Sequence, residues 1–494
     1  MRIYPGKEEF CQLADQYTLL PVTMELSTDL ETPVSLYYKL VGESPGFILE
    51  SAQTGKTFGR YSFIGTKPLA VFTACKNRAD ITVGECSTQE NGKPHLVFKD
   101  FLKKFSMPKL PELPPFAGGA VGYAAYEAVV SWERVRGLDI PDELPLIEQM
   151  VCQYILVMDH LTHSTRLINL VHVASTAQAA GAYDLAVREL TELAAKLKQP
   201  VSLPEDESEQ TGRPVAADRV GEAVPGKEQY LAMVEQAKEY IAAGELFQVV
   251  LSRPFYYRLA SPPFSLYRRL RQANPSPYMF YINFGERQLV GASPERLVKL
   301  EDNKVLTCPI AGTRRRGESA AEDDRLAGEL LADIKERAEH AMLVDLGRND
   351  LGRISLPGTV HIDRLMEVEK YSHVMHIVSE VSGQLAPEFS AVDVLTACFP
   401  AGTVSGAPKV RAMEIIHELE GDIRGPYAGA VGYFDFSGNM DTCITIRTLM
   451  IDKQQVTVRT GAGIVADSIP EMEYREIMNK ARVLMQLLEE APIT

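Results

Sequence analysis

ERAEHAMLVDLGRNDLGRI, Glu336 to Ile354, reads as a helix that opens with two glutamates three residues apart. At that spacing Glu336 and Glu339 lie on one face. EMEYREIMNKARVLM, Glu471 to Met485, repeats the arrangement with Glu473 and Glu476. Like charges so close repel, so two such helices facing each other need a cation between them, and hard oxygen ligands favour Mg²⁺. Either pair taken by itself reads more readily as a solvated helix face, because Glu is a common surface helix former.

Outward from these helices lie segments dense in glycine and hydroxyl residues: PIAGTRRRG from Pro309, FPAGTVSGAPK from Phe399 and RTGAGIVADS from Arg459. Backbone N–H groups in such loops can approach an anion. Gly461 to Gly463, following a strand expected over Gln455 to Arg459, reads either as an anion-binding nest or as a plain turn. Neither GxxxxGK[ST] nor GxGxxG occurs at a strand-to-helix junction, so nucleotide binding is not indicated.

The chain of 494 residues allows two to four compact units. Ala177 to Lys198 has apolar residues at helical spacing and leads into a polar, acidic, Pro/Gly-punctuated stretch. The organisation expected is residues 1–200, a linker at 201–226, and a catalytic region at 227–494. Leu69 to Ala74 and Gln153 to Met158 read as strands, Lys227 to Gly244 as an amphipathic helix, and Phe247 to Ser252 as a further strand. FAGGAVGY (Phe116 to Tyr123) and YAGAVGY (Tyr427 to Tyr433) echo each other, through related or facing sheets or by coincidence.

A formal charge of −15 argues against nucleic acid or an acidic membrane as partner. An anionic substrate then needs local positive charge or a metal. The seven cysteines are scattered, without a C-x-x-C pair, which fits a reducing cytoplasm. The amino terminus has no apolar core, and no run approaches the roughly 18 apolar residues of a membrane span. The expectation is a protein neither exported nor inserted.

GASPERLVKL, PIAGTRRRG, ERAEHAMLVDLGRNDLGRI, EKYSHVMHIVSEV, FPAGTVSGAPKVRAMEII, AGAVGYFDFSGNMDTCITIR and GAGIVADSIPEMEYREIMNKA together resemble the chorismate-utilising enzymes. The resemblance covers essentially everything from Lys227. With ILES (Ile48 to Ser51) and NPSPYMF (Asn274 to Phe280), it is similar to the anthranilate-forming large subunits of that family. It implies an α+β fold of two large antiparallel β-sheets packed as a sandwich with helices outside. The reaction it implies adds ammonia to C2 of chorismate with loss of the C4 hydroxyl, then eliminates pyruvate.

Carried over residue by residue, the resemblance implies Glu339 and Glu476 as Mg²⁺ ligands, with Glu336 and Glu473 supporting through water. Glu295 matches the general acid for the departing hydroxyl, a task that needs a protonated carboxyl. Its structural alternative is a salt bridge to Arg296 or a neighbour. His376 matches the residue that takes the C2 proton, and His373 is the more ordinary histidine. Arg447, read as a strand residue, and the backbone of Gly461, Ala462 and Gly463 match a carboxylate clamp. Gly312, Thr313, Thr403 and Tyr427 match substrate-touching positions. Thr403 reads equally as a residue near a helix N-cap. Lys480 matches a position near the bound carboxylates.

Two positions separate the relatives. Water-using members carry a lysine where this chain has Gln248, and glutamine cannot activate water, so ammonia is the nucleophile expected. Members forming aminodeoxychorismate carry a lysine where this chain has Ala311. No cysteine sits on a G-x-C-x-G turn, so a separate glutamine amidotransferase subunit is implied, in a heteromer. Glu50 and Ser51, with Pro277, Tyr278 and Met279, match the family's L-tryptophan site. An aminodeoxychorismate-forming enzyme and a catalytically silent subunit stay open beside the anthranilate-forming reading.

Overall fold

Two long strands, Tyr61–Ala74 and Ile147–Asp159, tie the architecture together. They pair antiparallel from Tyr61 opposite Asp159 to Ala74 opposite Ile147, and the register shifts between Pro68 and Ala70. Pro68 has no N–H to give to a ladder, which is where a strand pair bends most readily. On one side of the shift these strands join a first sheet through Gly46–Glu50 and Ser164–His172. On the other side they join a second through Arg78–Val83 and Gly119–Ala124.

This computed structural model describes residues 2–51, 59–173, 175–200, 225–259, 261–370 and 374–489. In the first sheet, Gly46–Glu50 leads through Tyr278–Asn283, Arg287–Ser293, Thr448–Asp452 and Gln455–Ile464 to Gln248–Arg258. In the second, Gly119–Ala124 leads through Ala430–Asp435, Met440–Ile444, Arg296–Glu301 and Lys304–Thr307 to Val374–Gln384. All these pairs are antiparallel. The fold is the expected α+β pair of large antiparallel sheets, and the two shared strands make them one hydrogen-bonded network.

The first sheet alternates as a sheet buried on both faces should. Phe47, Phe63, Phe280 and Leu289 point between the sheets, while Ile48, Ile64, Tyr281 and Val290 point to the other face. Phe63 meets Phe116 at 5.5 Å and Tyr433 at 6.2 Å across the gap between sheets. Helices Pro33–Leu40, Thr176–Leu197, Pro263–Ala273 and Pro470–Glu489 cover the outer face.

The echoed segments prove to be direct neighbours, with Gly122 opposite Gly432. A Cβ on Gly432 would lie 2.1 Å from the Asp441 carbonyl oxygen, so only glycine fits there. Strands from the region 1–200 pair with strands from 227–494 in both sheets, so the two stretches share their cores. Of the expected linker, 201–224 lies outside the described residues.

Candidate active site

Asp333 caps the helix Ile334–Gly352 by accepting from the N–H groups of Lys335 and Glu336 at 3.0 and 3.2 Å. This fixes where the helix begins, and with it the direction of Glu336 and Glu339. The helix Pro470–Glu489 buries Ile477, Ala481 and Leu484 and carries Glu473 and Glu476 on a more open side. The four carboxylates share one neighbourhood. Burial raises the pKa of Glu339, and the charges of Glu336 and Glu476 raise it further. Burial and Glu476 likewise raise Glu473.

Basic groups neutralise part of this charge. Lys480 pairs with Glu476 at 2.7 Å and Arg314 with Glu336 at 3.0 Å. The Gln248 amide donates to Glu339 at 3.3 Å. Among the described residues no three His, Cys, Asp or Glu side chains converge closely enough to hold an ion as they stand. The donor set nonetheless fits a hard divalent cation, because carboxylates that push up one another's pKa would be relieved by positive charge between them.

Glu295 immediately precedes the strand Arg296–Glu301, and Thr403 lies inside the short 3-10 turn Gly402–Val404 rather than at a helix N-cap. The Thr403 hydroxyl donates to Glu295 Oε1 at 2.9 Å. Burial pushes the Glu295 carboxyl up to about 8, against the opposing pull of Thr403 and Lys480. It is therefore mostly protonated at neutral pH. Arg296 turns away to the Tyr278 hydroxyl at 2.7 Å and does not form the alternative salt bridge.

His376 sits on Val374–Gln384 opposite Thr313. Its Nδ1 lies 2.9 Å from the Gly312 carbonyl oxygen and 3.1 Å from Thr313 Oγ1. A carbonyl can only accept, so Nδ1 carries the proton and Nε2 the lone pair. Burial lowers the His376 pKa, and the Arg447 charge lowers it further, so the ring is neutral at pH 7. Gly312 takes φ +66° at the register shift that turns Thr313 toward the ring. His373 lies outside the described residues.

Two expectations are corrected here. Arg447 is not in a strand: it joins Met440–Ile444 to Thr448–Asp452 with φ +53° and donates to the Lys480 carbonyl oxygen at 3.2 Å. The left-handed backbone lets the half-buried guanidinium leave the sheet edge. Gly461 to Gly463 form neither nest nor turn, because the strand runs on through them as Gln455–Ile464. Opposite them, the N–H groups of Ser252 and Val250 donate away from this strand, to Glu420 Oε1 and the Ser405 carbonyl oxygen. Gly461 and Gly463 therefore form non-hydrogen-bonded pairs with that neighbour, and their own N–H groups face the opposite side. The pairing with Thr448–Asp452 reaches only Val458, which leaves that side open. Lys480 Nζ donates to the Gly461 carbonyl oxygen there at 3.0 Å. A Cβ on Gly461 would meet the Tyr427 hydroxyl at 2.7 Å, so tyrosine and glycine backbone line one surface with Ala462 between the two glycines.

The chorismate-binding enzyme model matches residues 45–486. The chain belongs to the chorismate-binding enzyme family. Among chorismate-binding enzymes it is 44% identical over 99% of both chains to anthranilate synthase component 1 of Acetivibrio thermocellus. It is 43% identical to that of Synechocystis sp., covering 98% of this chain and 99% of the relative. The crystal structure of anthranilate synthase component I from Streptococcus pneumoniae superposes with a TM-score of 0.71 at 35% identity, over 93% of this chain and 98% of that one. The menaquinone-specific isochorismate synthase of Escherichia coli, at 22% identity and a TM-score of 0.72, shares the fold. The chain is thus an enzyme of the anthranilate synthase component 1 type.

In this chorismate-binding enzyme a second polar cluster lies on the outer face of the first sheet. Glu50 stands opposite Met279 and accepts from Tyr267 at 2.5 Å and Arg271 at 3.0 Å. Ser51 Oγ is buried without a hydrogen-bond partner among the described residues. Glu50, Ser51 and Met279 come together, with Pro277 leading into the same strand. The Tyr278 hydroxyl instead donates to Asp441 at 2.9 Å on the inter-sheet side. Sequence reasoning missed Arg314 at Glu336, whose only signal was the triplet Arg314 to Arg316. It also missed Arg424 and Glu420, single charges without a motif. Among the described residues no helix is long and apolar enough to cross a membrane.

Proposed function

We propose that the chain converts chorismate and ammonia to anthranilate, pyruvate and water, the first step of L-tryptophan formation, with Mg²⁺ as cofactor. Ammonia comes from a glutamine amidotransferase subunit, and L-tryptophan inhibits at Glu50, Ser51, Pro277, Tyr278 and Met279. The reaction takes place in the cytoplasm. The observation that carries the reading is the Glu295 carboxyl, raised to about 8 and oriented by Thr403.

When ammonia bonds to C2, the ring double bonds shift and the C4–O bond breaks. A hydroxide is a poor leaving group, so Glu295 gives its proton to that oxygen, which departs as water. In the second step neutral His376 takes the C2 proton through Nε2, the ring becomes aromatic, and the C3–O bond breaks to release the enolate of pyruvate, which takes up a proton at its methylene carbon to give pyruvate. Arg447 and the N–H groups of Gly461 and Gly463 clamp the enolpyruvyl carboxylate, while Tyr427, Gly312 and Thr313 orient the ring. Lys480 moderates the negative charge. Glu339 and Glu476 would hold Mg²⁺, with Glu336 and Glu473 behind water, and the ion would supply Lewis-acid neutralisation of the ring carboxylate.

The test combines purified chain, chorismate, Mg²⁺ and ammonium, with and without L-tryptophan. Anthranilate fluorescence suppressed by tryptophan is expected. Chorismate consumption without anthranilate would refute the product, and no consumption would point to a silent subunit.

A further inference from the structure

Arg424 is 2% exposed, and its guanidinium is bonded on every side. Nη1 donates to the Val404 carbonyl oxygen at 2.7 Å, and Nη2 to the Val250 carbonyl oxygen at 2.7 Å. Nε donates to Glu420 Oε2 at 2.9 Å, and Nη2 also reaches Glu420 Oε1. Its Cζ lies 4.7 Å from the Tyr126 ring centre and 5.7 Å from that of Tyr427. The Glu420 side chain, itself buried, accepts in turn from the Ser252 N–H at 2.7 Å and from Arg459 at 3.2 Å.

What these bonds hold matters more than their number. Val404 follows Thr403, whose hydroxyl aims Glu295. Val250 is two residues past Gln248, which donates to Glu339. Tyr427 meets Gly461. The N-terminal part of the chain fixes the turn that carries Arg424: Glu127 accepts from the N–H groups of Arg424 and Gly425 at 2.7 and 3.0 Å. The Gly425 carbonyl oxygen accepts from the Tyr126 N–H at 2.8 Å.

We infer that Arg424 is a positioning residue, whose single fork registers Thr403, the Gln248 strand and Tyr427 against one another, and that Glu127 anchors it from the other half of the chain. This rests on the reaction proposed above. A planar guanidinium directs separate N–H groups along fixed lines to two carbonyls and a carboxylate, whereas a lysine ammonium sends all three from one atom. A dissociated fork leaves substrate pockets present but misaligned, which costs rate more than binding.

The experiment is steady-state kinetics of full-length Arg424→Lys at saturating ammonium and Mg²⁺, beside thermal unfolding. The expected result is a kcat lowered roughly 10- to 100-fold with the KM for chorismate within about threefold of wild type. A folded variant with kcat within about twofold of wild type would overturn the inference, since a purely structural arginine would change melting temperature and leave the split untouched. Should Arg424→Lys lose its unfolding transition, Glu127→Gln, which keeps the guanidinium, is held to the same kcat-against-KM criterion, with a fall of at least about threefold expected. An inactive wild-type chain would sink the reaction itself, a result distinct from an active wild type with active variants.

Discussion

Thr403 and Glu295 are 108 residues apart in the chain and 2.9 Å apart at the site, the hydroxyl donating to the carboxyl. That bond favours the ionised carboxyl, while burial disfavours it more strongly. The group remains protonated through neutral pH.

The Glu295 acid must hold its proton to act, so activity is expected to fall as pH rises through about 8. Rates are expressed per concentration of free NH₃, to remove the titration of ammonium. Thr403→Ala removes a bond that lowers the pKa, so its descending limb should move to higher pH. A limb that stays in place would separate Thr403 from the acid. Glu295→Gln should lose roughly 10²- to 10⁴-fold in kcat.

His376→Ala leaves Glu295 and its partner intact, so the first step should proceed and the second stall. Rapid-quench chromatography should show an amino-substituted intermediate that retains the enolpyruvyl group. Undiminished anthranilate production would remove His376 from the second step.

Glu476→Gln keeps the side chain's size and removes its charge. Magnesium-dependent turnover should disappear, and direct Mg²⁺ titration by calorimetry should show weakened binding. Wild-type activity at ordinary Mg²⁺ would refute its role as a ligand.

Ser51→Ala deletes a buried hydroxyl that has no hydrogen-bond partner among the described residues. Tryptophan inhibition should be relieved, with the uninhibited rate retained. An unchanged inhibition curve would count against the Glu50 and Ser51 site.

The helix of Glu336 and Glu339 and that of Glu473 and Glu476 were legible because the 3.6-residue period is local. Each glutamate pair remained ambiguous, since spacing along one helix carries no information about what stands opposite. The ordered glycine-rich segments around them supplied the resemblance, and with it the sheets and the reaction. Local reading failed at Arg447 and at Gly461 to Gly463. An arginine with a left-handed backbone and a glycine run inside a ladder both depend on neighbours from elsewhere in the chain.

By itself, the sequence determined the helical placement of ERAEH and EMEYRE, the strand-rich character of both halves, and the identity of each group able to carry charge or a proton. Only the tertiary structure decided which of those groups meet. Glu339 became one of a set through Glu476, Glu295 an acid through burial and Thr403, and Arg424 a hub through carbonyls from two distant segments. Local propensity acts over a few residues, whereas proton affinity and charge pairing depend on distances that exist only once the sheets have closed.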